Sequence, residues 1–294
     1  MRWFAWATLV LTVAVILWGA FVRATGSGAG CGGHWPLCNG EVLPPSPEAA
    51  TLIEYTHRLT SGLAFLAVVV LLIWTRRVHP AGTPQRRFAW GALCFMITEA
   101  LVGAALVVFG WVAENASLAR AWVMAFHLLN TFILLGFLLL LAWTAGRAVT
   151  RHTAPPALRV WSWVVLGVLV VISVSGAVAA LGDTLFPAMT LQEALQADFS
   201  AASHFLIRLR VLHPALALGG TLLVLYGAWA LREQAAAKSA AGWVLLLAPL
   251  QVVLGLLNVV LLAPVWLQLV HLLAADLLWM AAVLAQAGLR YRVT

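Results

Sequence analysis

Charge is what this chain has least of. Only 9% of its 294 residues are Asp, Glu, Lys or Arg, where an ordinary soluble domain carries about 25%. That scarcity excludes a water-soluble enzyme, a disordered chain and a nucleic-acid binder, although the formal net charge is +7. Cysteine is nearly missing too, with three residues, whereas tryptophan numbers fifteen. What the chain has in quantity is apolar surface: 63% of residues are hydrophobic and the mean hydropathy is +0.98. The expectation is an all-α polytopic membrane protein.

A spanning helix needs about 20 largely apolar residues. Uncharged or nearly uncharged runs predict spans at Trp3–Val22, Leu59–Thr75 (reaching back to Ile53), Phe88–Val108, Ala121–Gly146, Val160–Gly182 and Val211–Leu231. The run from Ser239 to Ala275 is too long for one helix, and Pro264 divides it into Gly242–Leu262 and Val265–Leu289, because proline donates no hydrogen bond and disfavours helix in the residue before it. Trp3–Val22 reads as a span rather than a cleaved signal peptide: its apolar run is too long and no small-residue cleavage site follows before Arg23.

Eight spans place both termini on one side. That side collects twelve of the 17 basic residues against a single acid, Glu233, while the opposite side holds five bases and seven acids. Cationic loops stay in the cytoplasm, so both termini of this multi-pass protein are expected there.

The halves of the sequence correspond. His57 matches His213, His127 matches His271, Gly19-Ala20 matches Gly176-Ala177, and Glu99-x-x-x-Gly103 matches Gln251-x-x-x-Gly255. Residues 1–146 and 160–294 therefore read as two pseudo-symmetric four-helix bundles in parallel repeat, joined by a cytoplasmic linker over 147–159. The four matched histidines lie in the outer third of their spans. Ionisable groups inside a membrane are costly and functional by default, and paired imidazoles on neighbouring helices can hold one iron between them. Haem ligation is favoured over simple helix-to-helix hydrogen bonding. Zinc is disfavoured for want of further ligands in either half. Arg58, Arg208 and Arg210 lie at the outer interface as candidate partners for haem propionates.

The halves differ at one point. Three residues before His57 stands Glu54, and three before His213 stands Arg210. Residues so spaced share a helical face, which aims a carboxylate at whatever His57 binds. Glu54 is either a proton-handling catalytic group or an ion-pair partner of Arg58 or Arg23. Glu99 reads equally as a proton-path member or a packing donor, and Asp276 as structural. In the first outer loop, Cys31 and Cys38 are expected to form a disulfide in an oxidising compartment, in preference to a Cys31/His34/Cys38 metal site.

Taken together, Gly26-Ser27-Gly28, Cys31…Trp35-Pro36-Leu37-Cys38-Asn39-Gly40, Glu54-x-x-His57-Arg58, His127, Leu209-Arg210-x-Leu212-His213-Pro214 and His271 resemble the haem A synthase family over essentially the whole chain. The resemblance implies oxidation of the C8 methyl group of haem O to a formyl group, giving haem A for terminal oxidases, by successive hydroxylation and loss of water. It implies that His57 and His127 flank the substrate haem, that Glu54 is catalytic, and that His213 and His271 ligate a resident haem b through its iron. A haem O synthase and a terminal oxidase are implied partners beside membrane lipid, and an oligomer is compatible with it. Some members carry a second Cys pair between spans five and six; Asp183–Ser203 has none, so a mechanism needing that pair does not operate here. Two other classes use the same four histidines: a bis-histidine cytochrome b electron carrier and a haem transporter.

Overall fold

The computed structural model describes residues 1–45 and 47–293; Ser46 and Thr294, the last residue of the predicted second bundle, lie outside the described residues. The long helices are α1 (Arg2–Ala24), α2 (Ala49–Val78), α3 (Pro84–Val108), α4 (Leu118–Thr144) and α5 (Pro156–Leu185). After a short α6 (Leu191–Phe199) come α7 (Phe205–Arg210), α8 (Leu212–Leu231), α9 (Lys238–Val260) and α10 (Val265–Gly288). With α7 and α8 taken as one segment, eight of these are long and apolar enough to cross a membrane.

The helix ends follow from the sequence. Pro84 and Pro156 open α3 and α5, where a missing N–H costs nothing. Pro264 caps α10 and closes the turn after α9, as expected from the divided run. The Ser117 side chain accepts the Arg120 N–H and starts α4. The sixth span begins six residues earlier than its apolar run, at Phe205 rather than Val211. Its interruption has a local cause. Pro214 cannot donate to the carbonyl of Arg210 four residues back, and α7 stops at Arg210.

The α1–α4 helices pack around one another, as do α5, α8, α9 and α10. The two sets meet along α4 and α1, which touch both α5 and α10. At that seam Trp279 stacks on Phe132 with ring centroids 4.8 Å apart and donates its indole N–H to the Phe132 carbonyl at 2.6 Å. Apolar residues of α4 and α10, including Leu135, Leu138, Leu278 and Ala282, fill the seam. On the side of the termini, β1 (Val149–Arg151) and β2 (Tyr291–Val293) form a short antiparallel ladder with Val149 opposite Val293. It ties the segment after α4 to the chain that follows α10.

Close packing at that end makes one glycine obligatory. A Cβ on Gly288 would stand 2.5 Å from the Ala236 carbonyl oxygen, whereas one on Gly219 meets nothing within 4 Å. Gly288→Ala is expected to destabilise the protein by about 1–3 kcal/mol, the usual cost of overpacking, with Gly219→Ala neutral or better. Thermal unfolding of the two variants in the same detergent checks the difference.

Candidate functional site

One cavity of about 1180 Å³ runs between the two helix sets, and His57, His127, His213 and His271 all line it. Ligand pockets commonly occupy about 300–1,000 Å³, so this space exceeds what a single drug-sized molecule needs. Each histidine falls within the first ten residues of its span, counting from Ala49, Leu118, Phe205 and Val265. Helix rise is uniform, so the four rings sit at similar distances from the same end of the bundle.

In the second set the rings of His213 and His271 are 6.4 Å apart, nearly perpendicular. His213 Nδ1 lies 3.1 Å from the Ile172 carbonyl and 3.1 Å from Ser175 Oγ. A carbonyl only accepts, so Nδ1 carries the proton and Nε2 keeps its lone pair. Gln251 donates to the His271 carbonyl at 3.0 Å and approaches His271 Nε2 at 3.4 Å. Glycines let the rings approach the neighbouring helices. A Cβ on Gly176 would be 2.9 Å from His213 Cε1, and one on Gly255 would be 3.3 Å from His271 Cε1.

The first set repeats part of this and departs from it in charge. Gly19 stands against His57 as Gly176 does against His213, again at 2.9 Å from Cε1. Gly103, the counterpart of Gly255, faces open space. Beside His127 the matched residue is an acid: Glu99 Oε1 lies 3.4 Å from His127 Nδ1. Glu99 is itself held by donors from Thr131 and Asn130, each at 2.5 Å. A carboxylate thus stands beside one imidazole of the first set where an amide attends the second.

Glu54 is 3% exposed and lines the cavity. Oε1 pairs with Arg58 at 2.5 Å, and Oε2 accepts the Cys31 N–H at 2.8 Å. Of the two ion pairs open to it, the one with Arg58 is formed. Cys31 and Cys38 are joined by a disulfide, in line with the expectation. The loop that carries them is fastened to the first turns of α2: Arg58 donates to the carbonyls of His34 and Leu37 at 2.6 Å each, and Thr51 donates to that of Gly30 at 2.8 Å. Trp35 and Pro36 of this loop line the cavity, so the loop covers it at the end where α2 begins.

The remaining predicted residues separate. Arg210 lines the cavity but is paired with Asp183 at 3.1 Å and Asp198 at 2.8 Å. Arg208 is exposed and outside the cavity, because residues two apart on a helix point to opposite sides. Asp276 is fully buried away from the cavity, and neither carboxyl oxygen has a partner among the described residues. Two cavity residues escaped the sequence reading as site members. Arg23 crosses from α1 to the second set, donating to Ala180 O, Thr184 Oγ1 and Gln268 Oε1. Arg120 reaches back to the carbonyls of Ala113 and Asn115. The only signal for Arg23 was a lone cation ending an uncharged span, and no spacing rule links it to a residue 245 positions away.

The docked loop makes a prediction. A Cβ on Gly30 would stand 2.5 Å from the backbone of Ala50, while one on Gly33 meets nothing within 4 Å. Gly30→Ala is expected to lift the loop and speed reduction of Cys31–Cys38 by a mild thiol roughly tenfold, a clash penalty of ordinary size. Gly33→Ala should leave the rate unchanged. Timed maleimide labelling after reductant addition reads both.

Comparison with known proteins meets this geometry from another direction. The COX15-CtaA family, described as "Cytochrome oxidase assembly protein", matches residues 2–283. A Thermus thermophilus protein named "Protoheme IX farnesyltransferase" is 48% identical over 281 residues, covering 94% of this chain and 46% of its own length. "Heme A synthase" of Alkalihalophilus pseudofirmus is 38% identical over 149 residues, 51% of this chain and 48% of that protein. "Heme A synthase" of Geobacillus kaustophilus is 42% identical over 110 residues, 37% and 35% respectively. The matched regions span about half the length of these curated relatives or less. With the family match running through every spanning helix and all four cavity histidines, the chain belongs to the COX15-CtaA family of cytochrome oxidase assembly proteins.

Proposed function

We propose that this chain is a haem A synthase, oxidising the C8 methyl group of haem O to the formyl group of haem A for use by a terminal oxidase. The observation that carries the reading is the asymmetry of one shared cavity. Both helix sets present a histidine pair, but only the first has carboxylates, Glu54 and Glu99, at the matched positions, whereas Asp183, the second set's cavity carboxylate, is paired with Arg210. The matched positions in the second set are Arg210 and Gln251.

The second set fits a resident haem b. Two metal–imidazole bonds of about 2 Å each, added to the two ring radii, come to roughly the 6.4 Å that separates the His213 and His271 rings. His213 is also oriented through its far nitrogen, as metal-bound imidazoles are. His213 and His271 would hold the group through its iron, and the bound group would supply one-electron storage beside the reacting half. His57 and His127 flank the substrate haem, with Gly19 giving the His57 ring room and Glu99 fixing His127. Glu54 stands at the outer end of the same cavity, where a carboxylate can take the protons released as the methyl group is oxidised.

Residues 1–146 then form the substrate bundle and 160–294 the electron-storing bundle, as parallel repeats joined through 147–159. The matched seating of His57 on Gly19 and His213 on Gly176 supports that symmetry. The basic side carries the termini into the cytoplasm of a bacterial cell, which leaves the haem sites near the outer face of the inner membrane and the disulfide in an oxidising compartment. The Thermus relative, by its name, transfers a farnesyl group to protohaem IX. A farnesylated haem is what the proposed reaction consumes, so a haem O synthase is the natural partner. An electron carrier or a haem transporter has no use for acids at these two matched positions in one half alone.

Two sets of variants test the assignment. His213→Ala or His271→Ala is expected to remove a low-spin haem b signal, since each deletes one axial ligand; an unchanged spectrum in both would contradict it. Glu54→Gln keeps an acceptor for the Cys31 N–H and is expected to retain haem binding. Haem A formation per folded enzyme should fall about 10²–10⁴-fold, the usual worth of a positioned acid or base. Turnover at the wild-type rate would reduce Glu54 to an anchor for Arg58.

A further inference from the structure

We propose that Arg23 and Arg120 form a carboxylate-binding site at the outer end of the cavity, taking the propionate groups of the porphyrin substrate. This rests on the haem-substrate reading above and assigns the part of the ligand that the histidines do not touch. The charged side chains lining the cavity are Arg23, Arg58, Arg120 and Arg210 with Glu54, Glu99 and Asp183. Most of them are already committed. Glu54 takes Arg58, Asp183 and Asp198 take Arg210, and Glu99 lies against His127. Among the described residues, no carboxylate comes within ion-pair distance of Arg23 or Arg120.

Both guanidinium groups are held by neutral oxygens alone. Arg23 donates to a carbonyl, a hydroxyl and an amide at 2.8, 2.5 and 2.9 Å. Arg120 is 3% exposed, donates through Nη1 to two backbone carbonyls at 2.5 and 2.8 Å, and keeps a buried Nε with no partner. Such contacts orient a cation without neutralising it, and a cation removed from water without a counter-ion is costly.

The supports are themselves fixed. Ala113, whose carbonyl Arg120 holds, has a left-handed φ of 49°, and so does Ala263 at 50°. Gln268, which receives Arg23, is pinned to the Ala263 carbonyl at 2.6 Å. Two non-glycine residues in a costly conformation therefore brace the two arginines from opposite helix sets. The groups share one region. Ala121, next to Arg120, packs with Leu181, next to the Ala180 carbonyl that Arg23 holds. Rigid guanidinium forks that no carboxylate touches, with Asp183 acting on Arg23 only from beyond ion-pair distance, suit an amphipathic ligand that ends in carboxylates. Arg58 and Arg210, the cations that sequence spacing favoured at the cavity, have their carboxylates within the protein.

The test uses the full chain in detergent, titrated with iron protoporphyrin IX and, separately, with its dimethyl ester, which lacks the anionic carboxylates. The signal lost in His57→Ala defines the first-set site. Arg23→Gln and Arg120→Gln are each expected to weaken binding of the free acid there about 10–100-fold, the worth of charge-assisted hydrogen bonds, and to leave the ester nearly unaffected. Arg208→Gln, at an exposed residue outside the cavity, is expected to change neither. Equal losses for acid and ester would show that the arginines only hold the fold, and an unchanged preference for the acid would show that the carboxylates bind elsewhere; either overturns the proposal while leaving the haem reading intact. Failure of the wild-type first-set site to bind either porphyrin would overturn both. Because Arg23 also links the two helix sets, Arg23→Lys serves as a milder variant: it keeps the charge, and its acid preference should fall between wild type and Arg23→Gln.

Discussion

A polar group inside an apolar bundle must be satisfied by whatever the chain can bring to it, and the histidine-bearing end of this protein is organised by that requirement. Glu54 is the clearest instance. Buried at the start of α2, it gathers Arg58 on one oxygen and the Cys31 amide on the other. Arg58 in turn reaches two further carbonyls of the disulfide loop. One buried carboxylate thereby fixes the loop that closes the cavity. The same group that lines the cavity also keeps it covered.

The second half solves the same problem with the charges reversed. Arg210 stands where Glu54 does in the first half and is neutralised by Asp183 and Asp198. His213 spends one nitrogen on a carbonyl and leaves the other free, which fixes the ring with a lone pair available. His127 instead meets a carboxylate. A common scaffold thus gives one imidazole of the first pair a carboxylate neighbour and one of the second an amide neighbour, a difference on which the proposed division of roles rests.

Much of the scaffold was legible in the sequence because a membrane span is a composition signal. Long uncharged runs and Pro264 gave eight helices, and the structure has eight segments of that kind. The start of the sixth span was misplaced because Arg208 and Arg210 interrupt the apolar run, while the partners of Arg210, Asp183 and Asp198, lie outside that run. The α6 helix and the β1–β2 ladder left no such signal: one is short and polar, and the other pairs segments from the middle and end of the chain. The histidines stood out as rare polar residues in apolar runs. The arginines were harder. Helical phase explains why Arg208 leaves the cavity, but the crossing of Arg23 to Thr184 and Gln268 depends on how two helix sets meet, which no local pattern encodes.

The central claim is chemical, and the haems carried by the purified protein test it most directly. The full chain, produced with a supply of haem O, is extracted and its haems are weighed by mass spectrometry. The expected result is haem b together with a species in which one methyl group of haem O has become a formyl group, the latter missing from His57→Ala and His127→Ala. Recovery of haem O unchanged, from protein that retains its haem b, would contradict it.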